Sequence, residues 1–202
     1  MDGESLAAPP ARRPRSDGRR SVEAIVNAAD AVLRERPSAS VEEIAVAAGV
    51  TRQTVYAHFS SRDALVASIM ELAAAEALAA IDAAELDARP PTDALLGFLD
   101  IGWQFLRRYL PLILSSTLQH PPRLDGNDAA SSFVGQLERT IQRGQDAGSF
   151  DGGLPATWLA AAIFRLGHIA AEDVESGRLT SRRAMVLLRE SAVRLCGAGS
   201  VG

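Results

Sequence analysis

Apolar residues recur three and four positions apart along most of this chain, and no segment alternates apolar with polar residues long enough to make a half-buried strand. That periodicity constrains the fold more than any other feature, because it commits most hydrophobic side chains to the stripe of a helix. An all-α fold is therefore expected. At 202 residues, with 47% hydrophobic and 23% charged, the chain is long enough to bury a core assembled from such stripes.

Residues 1–18 hold Pro9, Pro10 and Pro14 among arginines and few large apolar groups, and are read as a disordered arm. A first helix follows from Arg19, with Val22, Ile25, Val26, Ala29, Val32 and Leu33 on one face, ending before Pro37. Ser40-Val41-Glu42-Glu43 is a capping box for a short second helix, with Val41, Ile44 and Ala45 inward and Gly49 as its left-handed stop. Thr51 caps a third helix reaching Tyr56 or Phe59. Ser60-Ser61-Arg62-Asp63 reads as a second box, opening a long fourth helix with Leu65, Ile69, Leu72 and Leu78 along its buried stripe.

After a break at Arg89-Pro90-Pro91, helices are expected at about 92–107, 109–118, 128–147, 155–175 and 181–195. Their bounds are Thr92, Pro111, the HPPRLDGND loop, Gly148, Gly177 and Thr180. The sum is about nine helices. They divide into an N-terminal three-helix, helix-turn-helix domain at 19–66, including the start of helix 4, a C-terminal helical bundle at 67–196, and a flexible tail at 197–202.

Several function classes fall away on composition. Every unbroken apolar run is too short for a bilayer, so no membrane helix is expected. The N-terminus lacks the apolar region of an export signal, which makes the cytoplasm the expected location. A single cysteine, Cys196, builds neither a disulfide framework nor a multi-cysteine metal site. No metal and no cofactor are expected. The three histidines are scattered, and no His-x-x-His or Glu-x-x-His pair and no Ser-His-Asp arrangement can be proposed, so a helical enzyme is a distant alternative.

The net charge is −4, yet residues 1–62 carry nine Arg against eight acids while residues 63–202 carry twelve against seventeen. A mildly basic head sits on an acidic body. Within that head, a helix of about eight residues, a Gly-containing turn and a second helix with a polar first turn describe a helix-turn-helix. Ile44, Ala45, Val50, Val55 and Phe59 would pack the pair against helix 1. Thr51, Arg52, Gln53, Thr54, Tyr56, Ala57 and His58 are then left outward. Arg and Gln can bond guanine and adenine edges bidentately if the helix N-terminus enters a major groove, and the hydroxyls of Thr51, Thr54 and Tyr56 suit phosphate oxygens. Arg62 stands where the helix dipole disfavours a cation, an oddity that a bound phosphate removes.

The stretches AIVNAADAVLRER, SVEEIAVAAGV and TRQTVYAHFSSRDAL resemble the DNA-binding domain of the tetracycline-repressor family of bacterial transcription regulators, over roughly residues 20–70. The resemblance implies phosphate contacts for Ser40, Thr51, Thr54, Tyr56, His58 and Arg62, and base edges for Arg52, Gln53 and Ala57. Arg19 and Arg20 would touch the backbone or minor groove. Members often carry Lys where this chain has Arg52 and Arg62, and a small residue at Gln53.

It also implies a small-molecule effector pocket in the second domain, for which Phe98, Trp103, Phe105, Tyr109, Phe133, Leu137, Trp158, Phe164 and His168 are the candidates. The last two helices would form a homodimer interface, with Leu159, Ile163, Leu166, Met185, Leu188 and Ala192 as candidates. The function expected is that of a ligand-responsive regulator, a repressor that binds a near-palindromic operator in double-stranded DNA as a homodimer and leaves it on binding effector. A regulator whose C-terminal domain binds a protein partner is the alternative.

Overall fold

The computed structural model of the chain describes residues 14–115 and 129–197. The described residues form eight α-helices, with no strand among them. In chain order these are α1 (Pro14–Glu35), α2 (Val41–Ala47), α3 (Arg52–His58), α4 (Arg62–Ala83), α5 (Pro91–Leu114), α6 (Ala129–Asp146), α7 (Ala156–Glu175) and α8 (Ser181–Leu195), with a 3-10 turn at Leu86–Ala88. The expected arm at residues 1–13 and most of the tail, residues 198–202, lie outside the described residues.

The first three helices are cut to length by local signals. Ser40 accepts from the Glu43 backbone N–H while the Glu43 carboxylate takes the Ser40 N–H at 2.8 Å, a reciprocal box that satisfies donors at both ends. Those bonds, the Ser40 backbone first and then Arg36, hold the Glu43 carboxyl below its ordinary range. The turn after α2 reverses at Gly49, whose φ of 67° is a conformation that costs glycine nothing. Thr51 and Ser61 then cap α3 and α4 through the N–H groups of Thr54 and Ala64.

Two cores result. The N-terminal one joins Ile25, Ala29 and Leu33 of α1 to Ile44, Ala45, Val55 and Phe59 of the α2–α3 pair, and continues onto Leu65, Val66 and Ile69 of α4. The C-terminal one is built by α5 to α8 with the far end of α4, around Phe98, Leu137, Ile141, Leu159 and Ile163. They are not separate bodies. Tyr109 and Leu112, near the end of α5, are buried in the N-terminal core, so α4 and α5 both cross between the two.

Four expectations need correction. α1 starts at Pro14, inside the stretch read as a disordered arm, because proline fits the first turn of a helix, where its missing N–H is not needed. α5 runs unbroken through Pro111, where two helices at 92–107 and 109–118 were expected; burial of Tyr109, Leu110 and Leu112 around the proline offsets the hydrogen bond it removes. At α4 the cap is Ser61, one residue later than the box expected at Ser60. The stripe it buries is Leu65, Val66, Ile69, Ala73, Ala77 and Ile81, leaving Leu72 and Leu78 half-buried, because small alanines let neighbouring helices come close. By length and composition alone α4 with the following turn, residues 62–88, is also apolar enough to cross a membrane, although Glu71 and Glu76 interrupt its apolar runs. In the fold it packs instead between α1, α5 and α6.

Candidate nucleic-acid interface

α3 buries a single residue of its seven, Val55, and Phe59 closes the bottom of the helix against the core. Everything else on it faces outward or nearly so, which fixes the candidate surface by subtraction. Thr51, Arg52, Gln53, Ala57 and His58 are exposed, Thr54 is half-buried, and the Tyr56 ring is 43% exposed, high for a large aromatic side chain. The structure thus brings Thr51 to His58 onto one presented helix, with Ser40 at the start of α2 and Arg62 at the start of α4 flanking it.

The polar groups on that face are partly engaged with one another. Thr51 and Thr54 share a hydroxyl hydrogen bond of 2.9 Å at the N-terminus of α3. Arg52 forms an ion pair with Glu42 of α2 and lies with its guanidinium carbon 5.3 Å from the centre of the Tyr56 ring; the Tyr56 side chain first, and Glu42 second, hold the guanidinium more basic than usual. Arg62 donates to the carbonyl of Pro37, pinning the turn between α1 and α2. A guanidinium has five N–H donors, so this bond leaves Arg62 others for a phosphate. The role of Glu42 as partner of Arg52 was missed in the sequence, since no local spacing links positions ten residues apart on two helices.

In the C-terminal region the effector candidates divide. Phe98, Phe133, Phe164 and His168 form a continuous row, with ring centroids 4.6, 6.2 and 4.6 Å apart in that order. Trp103 and Leu137 are buried in the same core. His168 bonds the Phe164 carbonyl through Nδ1 at 3.0 Å, and burial pushes its imidazole below the ordinary value. Phe105 and Tyr109 do not join this row: they pack in the N-terminal core, beside a charged cluster in which Asp30 lies 3.0 Å from Arg34 and 3.7 Å from Arg108. Burial first, then Asp30, pushes the Tyr109 phenol up. Trp158 stands 55% exposed on the outside of α7, away from any core.

The dimer candidates are placed inward. Leu159, Ile163, Leu188 and Ala192 are fully buried in the chain's own core, and Leu166 and Met185 pack half-buried against it. What α7 and α8 turn outward instead is Trp158, Ile169 and Val186. The most apolar stripe of each helix is consumed within the protomer.

Residues 25–69 match the bacterial regulatory proteins of the tetR family. The match spans the second half of α1, then α2, α3 and the start of α4. No curated protein matches it in sequence. Its whole fold is similar to LfrR, a TetR-like transcriptional regulator of Mycobacterium smegmatis solved with proflavine, at 22% identity over 90% of this chain and 97% of that one, with a TM-score of 0.57. It is similar also to FadR of Bacillus subtilis, solved with stearoyl-CoA, at 18% identity over 88% and 99% of the two chains with a TM-score of 0.62. FadR of Bacillus halodurans, a fatty acid degradation regulator, aligns at 17% identity over 91% and 96%, with a TM-score of 0.66. The two-part helical architecture of these solved regulators is therefore the fold of this chain, and residues 25–69 within it match the tetR family.

Proposed function

We propose that the protein is a ligand-responsive repressor that binds a near-palindromic operator as a homodimer. The observation that carries this reading is the outward face of α3, polar from Thr51 to His58 and standing on a sealed core within the matched residues. Thr51, Thr54 and Tyr56 supply hydroxyls for phosphate oxygens, with Ser40, His58 and Arg62 at the margins, while Gln53 and Ala57 are presented for base edges. The two domains meet within α4, the head taking residues 19–66 and the effector and dimerisation part residues 67–196.

For the dimer we place the interface on the outward faces of α7 and α8. The hairpin closed by residues 176–180 puts Ile169 and Val186 at about the same level along the pair, with Trp158 about three turns away on α7. A symmetric partner covers such a patch and spaces two α3 helices for successive major grooves.

The row Phe98–Phe133–Phe164–His168 supports an effector that is flat and apolar or aromatic, closer in chemistry to the proflavine held by LfrR than to the acyl-CoA held by FadR. Its signal reaches the head across the seam where α5 enters the N-terminal core. Arg108 meets Asp30 there, and Ser115 shares its hydroxyl hydrogen between Leu112 at 2.9 Å and Pro37 at 3.3 Å, the carbonyl that also holds Arg62. An effector favouring another position of α5 weakens DNA binding by its preference for that state.

Selection of bound fragments from a genomic or random DNA pool tests the reading. The wild type should enrich a sequence with twofold symmetry; Tyr56→Phe should lower affinity for all DNA alike, and Gln53→Ala should change the bases enriched. No enrichment by the wild type would overturn it.

A further inference from the structure

Gln53 and Arg52 are neighbours at the start of α3 and both are exposed, yet the structure treats them differently. The Gln53 amide makes no hydrogen bond among the described residues. The Arg52 guanidinium is held two ways: the Glu42 carboxylate pairs with it from α2, and its carbon lies 5.3 Å from the centre of the Tyr56 ring. Its direction is set toward α2, across the ring, rather than outward from the helix.

Glu42 itself needs explaining on a surface meant for a polyanion. Its neighbour Glu43 is spent on the Ser40 box and on Arg36, so it is accounted for by the fold. Glu42 completes no cap. Its partner among the described residues is Arg52, and an exposed carboxylate without that partner would repel phosphates and lower affinity for any sequence.

We propose that Glu42 is a positioning residue that turns Arg52 from a reader of bases into a clamp on the sugar–phosphate backbone, leaving sequence choice to Gln53 and Ala57. This rests on the DNA-binding reading above. A guanidinium lying over Tyr56 presents its remaining N–H groups beside the phenol, where phosphate contact is expected, and a bidentate approach to a guanine edge would require it to leave both Glu42 and the ring. Exposed ion pairs and exposed cation–π contacts are each weak, so the arrangement biases Arg52 rather than locking it. The bias is removable by a single substitution that leaves the fold's caps and cores intact.

The test uses the full-length protein, a duplex carrying the sequence enriched by the wild type, and a duplex of random sequence, with variants Arg52→Ala, Arg52→Lys, Glu42→Gln and Glu42→Gln/Arg52→Ala. Arg52→Ala should enrich the same bases as the wild type while losing affinity for both duplexes alike, about tenfold, with the salt dependence flattened by about one ion. Arg52→Lys should restore most of that affinity, because a phosphate accepts a point charge whereas a guanine edge requires the planar fork. Glu42→Gln should raise affinity for random DNA and narrow the ratio between the two duplexes by about tenfold, as a freed guanidinium competes for base edges. In the Arg52→Ala background the same substitution should leave that ratio unchanged.

A base preference lost with Arg52→Ala, or an effect of Glu42→Gln on the ratio that is the same with and without Arg52, would overturn the assignment while leaving the DNA-binding reading standing. Failure of the wild type to enrich any sequence would overturn both.

Discussion

In the head, α2 and α3 have seven residues each, are capped by Ser40 and Thr51, and leave most of their surface to solvent. In the body, α7 runs for 20 residues with no side-chain cap and spends its apolar stripe on the protomer's own core. Helices as short as those of the head have no stability alone, so caps and a few buried anchors hold them and the remaining side chains are released from structural duty. Long helices need no such local help. Their packing absorbs nearly all large apolar groups, and what is left outside among the described residues is sparse: Leu114, Leu154, Trp158, Ile169 and Val186. Function is written at named positions in one region and spread through packing in the other.

The sharpest way to break that contrast is to ask whether the regions unfold apart. Ile44→Ala, deep in the head, should cost about 2–5 kcal/mol. Both tryptophans, Trp103 and Trp158, lie in the body, so fluorescence reports on it alone whereas circular dichroism reports on all helices. Because Tyr109 and Leu112 of α5 are buried in the head's core, the variant should shift both signals together. A dichroism transition that moves while fluorescence stays would mean the seam is weaker than its burial implies.

Adjacent residues on α7 offer the next contrast. Trp158→Ala should leave thermal stability of the protomer nearly unchanged and weaken self-association by about 2 kcal/mol or roughly thirtyfold, seen by sedimentation. Leu159→Ala, one position round the helix and fully buried, should lower stability by about 2–5 kcal/mol. Equal effects on association would place the dimer face elsewhere.

Smaller again is the cap of α3. Thr51→Ala removes the acceptor of the Thr54 N–H and should cost about 0.5–2 kcal/mol, together with weaker binding to all DNA sequences. The corresponding change at the uncapped start of α7, Pro155, has no such bond to lose.

The smallest effect is a pH dependence confined to the body. Burial keeps His168 below the ordinary 6.5, with Arg165 acting in the same direction and the Phe164 carbonyl and Glu172 opposing. The unfolded chain therefore takes up the proton first. Stability should be full above about pH 6.5 and decline as pH falls below it, a slope that His168→Gln should flatten in denaturant titrations between pH 7.5 and 5.5.

The contrast also explains what the sequence disclosed. Ser40, Gly49 and Thr51 act on residues within four positions of themselves, so their roles are legible without any tertiary knowledge. Pro111 is not of that kind: whether a helix continues through it depends on whether Tyr109 and Leu112 find a core to enter, and that core is built mainly by α1 to α4, far earlier in the chain. The stripe of α4 was hidden because alanines at 73 and 77 carry the close approach, and small residues leave a faint hydrophobic signal. The presented face of α3 was legible because only Val55 is withdrawn from it. The way Glu42 ties Arg52 to Tyr56 was not, since it depends on how two helices are set against each other.

Gly102 on α5 shows how little would be needed to change what the body accommodates. A Cβ built there would come within 2.8 Å of the Phe133 ring, so that ring rests in a notch left by one missing carbon. Filling the notch with a methyl group pushes Phe133 off α5 and shifts its spacing to both Phe98 and Phe164 while altering none of the three rings. Position 102 works as a gauge: it sets the spacing of the aromatic row from behind, without contributing a ring to it.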